Sequence, residues 1–379
     1  MIYTDICIYN EDEKMKKLSM IDYISNQDNA LINTMECQSL FTEPFKRLFM
    51  KYDIKRIYIL GSGTSYHASI AGMFYFEKYT DIDTIADIPT RFTNYTKIKD
   101  STHTLVIGIS QSGTSVSTIQ AIRKAVREGC ITVAITDDME SLITNETEHI
   151  VKLTCGKEEI PIETRGYTVT LLELFLIAVS VGNILGKLSD ENYKEIQKNT
   201  ATTLKNYTLA RETVEDWYER NHEELQSLKK GVIAAYGVNQ CTYLEGVLKM
   251  FETFKHPMNG YDIEEMIHGP QMAFNSDMWI FLIASRGAEY VKIPLFLKFF
   301  RDNQITEHLF VITDGDVGES NKDIHFVPII EEDLSPLFYI LPFQIMAARN
   351  CIAAGIETSV MPAYRRAFAH YYSENERHE

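Results

Sequence analysis

An apolar, β-branched run, IKRIYIL, stops at glycine near residue 60 and gives way to small polar residues, GSGTS, that end at residue 65. The stretch that follows, SYHASIAGMFYFEKY, spaces its apolar positions at helical intervals. That order predicts strand, loop, helix. The same unit recurs as HTLVIGISQSGTS (103–115) followed by VSTIQAIRKAVREG, and CITVAITDD (130–138) and HIVKLTCG (149–156) read as a third and a fourth strand. Strands alternating with helices predict a parallel sheet with both faces covered. A second series opens with the strand KGVIAAYGVNQ (230–240) and the helix CTYLEGVLKMFETF (241–254). DMWIFLIASRG (277–287), EHLFVITDGD (307–316) and DIHFVPIIE (323–331) are three more strand candidates, and PLFYILPFQIMAARNCIAAG (336–355) a late apolar helix.

The expected class is therefore α/β. Two domains are predicted, each a mainly parallel five-stranded sheet flanked by helices in three layers. MIDYISNQDNALINTM has helical spacing, so residues 1–34 read as an N-terminal helical arm, 35–186 as the first domain and 228–356 as the second. The charged segment 187–227 reads as linking helices and 357–379 as a C-terminal tail.

In open parallel sheets, ligands bind outside the carboxyl ends of the strands. Both serine-rich loops fall there. Each offers hydroxyls and backbone N–H groups at a helix start, where orphan N–H groups and the helix dipole attract anions. Neither loop has the G-x-G-x-x-G or G-K-[ST] spacing of nucleotide binders. A single phosphate monoester on a sugar suits such uncharged donors. The alternative is that these serines and threonines merely cap helices.

The chain of 379 residues is 45 % hydrophobic and 24 % charged, an ordinary globular composition, with a formal net charge of −16. That charge speaks against nucleic acid as a partner but leaves room for a small anion in a local pocket. Six cysteines, at 7, 37, 130, 155, 241 and 351, form no C-x-x-C pair and no zinc-spaced cluster with histidine. No metal or cofactor is expected, and a reducing cytoplasm fits. The start, MIYTDICIYNEDEKMKK, lacks the pattern of a signal peptide. LLELFLIAVSVGNILG (171–186) contains Glu173 and falls short of the roughly 20 residues of a bilayer span, so a buried helix is expected there and no membrane association.

ILGSGTSYHAS and ISQSGTSVSTIQA resemble the two signature loops of the sugar isomerase (SIS) family of phosphosugar-binding domains. The likeness, from about residue 35 onward, is to the isomerase half of glucosamine-6-phosphate synthase and to stand-alone relatives such as fructoselysine-type 6-phosphate deglycases. It implies that Ser110, Gln111, Ser112 and Ser115 hold the phosphate, with Gly63, Thr64 and Ser65 near the sugar. Thr114 departs from the glutamate common in the synthase. EGVLKMFETFKHPMNGYDIEEMIHGP (245–270) resembles the synthase's catalytic segment and matches it at Lys249, Glu252, Glu265 and His268.

By that resemblance Glu252 is the C1/C2 base, His268 opens the sugar ring and Lys249 polarises an oxyanion. Read from spacing alone, Lys249 and Glu252 share a helix face and could equally be a surface pair. The resemblance also implies that a neighbouring subunit supplies the histidine, hence a homodimer with a shared site. In YRRAFAHYYSE (364–374), Arg366 and His370 match an arginine and a lysine of the family's tail. Glu163, where the synthase has small residues, would suit a positively charged substituent on the sugar.

The chain leaves no room before residue 50 for the synthase's glutamine-hydrolysing domain, so glutamine-driven amination is not expected of it. Three readings follow: a fructosamine-type 6-phosphate deglycase, a phosphosugar isomerase or ammonia-dependent glucosamine-6-phosphate deaminase, and a non-catalytic phosphosugar sensor. The matched Glu252 and His268 speak against the sensor.

Overall fold

A computed structural model describes residues 18–318 and 320–359. These fall into two compact units, 18–197 with Ser359, and Lys198–Thr358. Each is described by itself.

The first unit begins with α1 (Met20–Ser25), α2 (Gln27–Glu36) and α3 (Ser39–Lys51). Ser19 starts α1 with a reciprocal cap, in which its backbone N–H donates to the Asp22 carboxylate at 2.7 Å and its hydroxyl accepts from the Asp22 N–H. Then come β1 (Arg56–Leu60), α4 (Thr64–Thr80), β2 (Asp83–Asp87), α5 (Pro89–Tyr95), β3 (Thr104–Ile109), α6 (Val116–Arg127), β4 (Ile131–Thr136), β5 (Ile150–Lys152) and α7 (Arg165–Ile184). The sheet order is β2-β1-β3-β4-β5, parallel throughout.

Every residue of β3 and β4 is buried, as expected of central strands covered on both faces. On one face Tyr58, Leu60 and Val106 pack with Phe92 of α5 and Ala121, Ile122 and Ala125 of α6. On the other, α4 and α7 pack together, with α2 and α3 against α7. α4 lies so close to the sheet that a Cβ on Gly72 would sit 3.0 Å from Ile59 and 3.1 Å from Leu174.

α7 is long and apolar enough to cross a membrane by length and composition, yet 89 % of its most apolar window is buried inside the protein. It is the core helix that 171–186 predicted. Its one acid, Glu173, is 1 % exposed. Glu173 Oε1 accepts from the Thr154 N–H at 2.7 Å and the Thr154 hydroxyl at 2.8 Å, while Oε2 has no partner among the described residues. Burial pushes its pKa from 4.5 up to about 8, against the Thr154 hydrogen bonds and with help from the Asp137 charge. Between those two values the unfolded chain has released this proton and the folded chain retains it. Stability present at low pH is thus lost as pH rises through the window, at up to ~1.4 kcal/mol per pH unit. Glu173→Gln removes the titration. Thermal melts from pH 5 to pH 8 should show the variant gaining on the parent as pH rises; parallel curves would overturn this account.

α8 (Asp190–Lys205) contains the boundary between the units. The second unit holds α9 (Tyr207–Gln226), β6 (Gly231–Ala235), α10 (Gln240–Glu252), β7 (Met258–Asp262), α11 (Ile263–Met266), β8 (Trp279–Ala284), α12 (Ile293–Asp302), β9 (Leu309–Thr313), β10 (Ile324–His325), α13 (Ser335–Tyr339) and α14 (Leu341–Ala353). Its order, β7-β6-β8-β9-β10, repeats the first unit strand for strand and is parallel throughout. One face packs α11 and α12 on Val232, Ala234, Ile280, Leu282 and Val311. The other carries α9, α10 and α14, with Trp217 edge-on to Phe310 and Phe343 edge-on to Phe281. Of the segment read as linking helices, α9 is thus part of the second unit's packing.

Two strands arise where none was predicted, β2 (DTIAD) and β7 (MNGYD), both at sheet edges. The helix expected over 336–355 is two, α13 and α14, with Pro342 in the first turn of the second. A proline there lacks the N–H that would continue the preceding helix.

Candidate functional site

In both units the strand order reverses direction between the first and third strands, and such a switch point opens a crevice at the carboxyl edge of the sheet. In the first unit that crevice is bordered by residues 61–63, after β1, and 110–115, after β3. Backbone geometry allows little but glycine at two places. A Cβ on Gly61 would lie 2.5 Å from the Ser65 carbonyl carbon. Gly113 has φ +65°, and a Cβ there would meet the Ser141 hydroxyl at 1.8 Å.

The exit of β4 wedges the second loop. Gln111 O accepts from the Asp137 N–H and the Thr136 hydroxyl, both at 3.0 Å, and Gly113 O accepts from the Ile143 N–H at 3.0 Å. Ser110 is 5 % exposed and its N–H donates to Ile135 O at 3.0 Å. The Ser62 and Ser117 hydroxyls lie 3.0 Å apart and tie the first loop to the first turn of α6.

Capping does not use these hydroxyls up. Ser115 is the N-cap of α6 and Gly63 that of α4, and neither helix has a side-chain cap hydrogen bond. The Ser115 hydroxyl instead accepts from Thr118 at 3.1 Å, and Ser112 and Thr114 pair at 2.9 Å. First-turn N–H groups of a helix have no partner within it. The crevice therefore presents backbone donors and hydroxyls, with no lysine or arginine in either loop.

Gln111 is more involved. Turned so that its NH2 rather than its oxygen faces Glu163, its side-chain amide donates to the Glu163 carboxylate. Gly166, in the first turn of α7, makes the room: a Cβ there would come within 2.2 Å of the Gln111 amide and 2.6 Å of Glu163 Oε1. Glu158 accepts from the N–H groups of Thr164 at 2.9 Å and Gly166 at 2.6 Å, closing the loop ahead of α7. Glu163 thus sits against the very residue the sequence assigned to phosphate.

In the second unit, α10 brings Glu245, Lys249 and Glu252 onto one face. Lys249 Nζ is 3.0 Å from Glu245 Oε1 and 2.8 Å from Glu252 Oε2. Lys249 and Glu245 are fully buried, and the Glu252 side chain is 18 % exposed. The surface-pair alternative is thereby excluded. Burial works to lower the Lys249 pKa, but the two carboxylates outweigh it and hold the ammonium well above the ordinary lysine range. Lys249 is a fixed charge here, enclosed by carboxylates. Glu245 was not among the predicted residues; its one signal was its place four residues before Lys249.

Lys249 and Glu252 are brought together; His268 is not brought to them within this unit. α10 leaves the carboxyl end of β6 and runs back, about 20 Å over 13 residues, so Glu252 lies toward the amino end of the sheet. β7, parallel to β6, returns the chain to the carboxyl edge, where Glu265 and His268 follow. Both are exposed, and His268 Nε2 is 3.9 Å from Glu264 Oε1. Arg366 and His370 lie outside the described residues.

The second unit's own crevice is filled. Tyr236 follows β6 where Gly61 follows β1; it is 5 % exposed and its hydroxyl donates to Ser285 O. Arg286, after β8, donates to Asp314 Oδ2 at 2.8 Å and to Ile329 O at 2.6 Å, and the Tyr339 hydroxyl donates to Asp314 Oδ1 at 2.7 Å.

Residues 51–180 match the SIS domain family. Over 309 residues the chain is 27 % identical to the glutamine–fructose-6-phosphate aminotransferase (isomerizing) of Gloeobacter violaceus, covering 80 % of this chain and 50 % of that protein. The chain spans about half the length of the curated relatives it matches. A solved structure of a candidate phosphosugar isomerase from Clostridium difficile 630 is 29 % identical, covers 94 % of this chain and 99 % of that one, and superposes with a TM-score of 0.83. The C-terminal domain of glucosamine-fructose-6-phosphate aminotransferase from Francisella tularensis shares the fold, with a TM-score of 0.81 at 20 % identity over 91 % of this chain and 99 % of that one. The switch-point crevice of serines and glycines thus lies inside a segment that matches the sugar isomerase (SIS) domain family, and the likenesses to solved structures run through both sheets.

Proposed function

We propose that this protein is a phosphosugar enzyme acting on a ketosamine or amino-sugar 6-phosphate, and specifically a fructosamine-type 6-phosphate deglycase. The observation that carries the choice of substrate is the Glu163 carboxylate fixed on the Gln111 amide. A carboxylate beside a phosphate loop opposes a simple dianion and favours a ligand that also bears a cation. A sugar phosphate with an amine attached is such a ligand.

The loop of Ser110, Gln111, Ser112 and Ser115 takes the phosphate, with Gly63, Thr64 and Ser65 beside the sugar. Glu252 removes the C1 proton of the open-chain ketosamine, giving an enaminol, and the proton is returned at C2 to give an imine at C1. Water adds at C1, the amine leaves, and hexose 6-phosphate remains. Lys249 holds Glu252 in place and keeps a positive charge beside it. His268 opens the ring; its exposure, and its separation from Glu252 within the second unit, support a homodimer in which another copy supplies it. A cytoplasmic location goes with this reading.

The test is incubation with fructosamine 6-phosphates, glucosamine 6-phosphate and fructose 6-phosphate, measuring released amine and hexose phosphate. Equal release from a fructosamine 6-phosphate is expected. Interconversion of hexose phosphates without amine release would select the isomerase reading, and binding without turnover of any member would make the protein a sensor. Gln111→Ala with Ser112→Ala should weaken 6-phosphates roughly 10–100-fold, the cost of about two lost hydrogen bonds, and leave free sugars unaffected. Equal loss on both would remove the phosphate assignment.

A further inference from the structure

We propose that Arg165 is a positioning residue, which together with Tyr23 and Asn26 of the N-terminal helices clasps the 157–166 loop so that Glu163 holds the Gln111 amide. This rests on the phosphosugar reading, since it concerns the loop assigned to phosphate. Arg165 is 6 % exposed. One arm of its guanidinium donates to Asn26 Oδ1 at 3.1 Å and the other to Lys157 O at 3.0 Å, while its centre lies 5.0 Å over the Tyr23 ring. The Tyr23 hydroxyl accepts from the Glu159 N–H at 2.9 Å. The N-terminal helices therefore grip both ends of a segment whose middle presents Glu163.

The reach of this grip follows from the connectivity. Arg165 is two residues from Glu163, and Glu158, which accepts from the Thr164 and Gly166 N–H groups on either side of Arg165, couples the two positions. A guanidinium spans two acceptors and a ring at once because it is a rigid planar fork; an ammonium on a flexible stem does not. With the clasp open, Glu163 no longer fixes the Gln111 amide, and the phosphate loop loses its orienting partner. Misplacement of about 1 Å is enough to change binding severalfold or more.

The experiment compares the parent with Arg165→Lys, Asn26→Leu and Asn26→Asp in the full chain. Arg165→Lys and Asn26→Leu should raise KM for the 6-phosphate about tenfold with kcat within about threefold, whereas Asn26→Asp, which keeps the acceptor oxygen, should stay near the parent. Hydrogen exchange should quicken in peptides spanning 108–118 as well as 157–166, with 56–63 unchanged. Quickening confined to 157–166, or a KM that follows only the loss of folded protein, would overturn the proposal. A parent that binds no 6-phosphate at all would overturn the functional reading instead, and the exchange comparison would still decide whether Arg165 positions the 110–115 loop.

Discussion

Glu252→Gln is expected to bind a hexose 6-phosphate as the parent does and to turn substrate over roughly 10²–10⁴-fold more slowly, the usual worth of a positioned base. The amide is nearly isosteric with the carboxylate. Its oxygen can still accept from Lys249, which lies 2.8 Å from Glu252 Oε2 in the parent, so the fold should survive. What it cannot do is accept a proton from carbon. Glu252→Asp separates reach from charge: it keeps the base but withdraws it by one methylene, and should fall between the two. Steady-state kinetics with a direct binding measurement decide the matter. Turnover within a factor of two of the parent would take Glu252 out of the mechanism, whatever the fate of the phosphate loop.

Lys249→Met should have the largest effect on stability. It removes the ammonium that pairs with both Glu245 and Glu252 and takes from the buried Glu245 its Lys249 partner. Breaking a buried pair on one side costs about 3–5 kcal/mol, because the remaining charge is neither solvated nor compensated. Urea unfolding should show this as a lower midpoint with little change in slope. The deficit should shrink as pH falls and the stranded carboxylate takes up a proton. Lys249→Met with Glu245→Gln should recover part of the loss, since the double change leaves no buried charge at 245. A single variant as stable as the parent at neutral pH would mean that solvent reaches Glu245 in solution.

The sequence announced the central strands and hid one edge of each sheet. β3, β4 and β8 are near-continuous apolar runs, because a strand covered on both faces has no polar side. β2 and β7 pair through their backbones on one side only, and DTIAD and MNGYD have no apolar period to betray them. The serine loops were legible because glycine and small polar residues after an apolar run mark a strand's exit. The Lys249–Glu252 spacing was legible as one helix face, but its burial was not, and Glu245 looked like any solvated helix glutamate. The Gln111–Glu163 contact joins distant segments and leaves no local mark. His268 stands near Glu252 in sequence, yet a helix running one way and a strand running back send them toward opposite edges of the same sheet.

The two crevices differ in one position with wide consequences. Where Gly61 leaves the first open, Tyr236 occupies the second with its ring and anchors its hydroxyl on Ser285. One architecture appearing twice in a chain thus does two kinds of duty. In the half whose mouth is taken by a side chain, the helix that leaves that mouth, α10, is the one that carries buried charge, on Glu245 and Lys249.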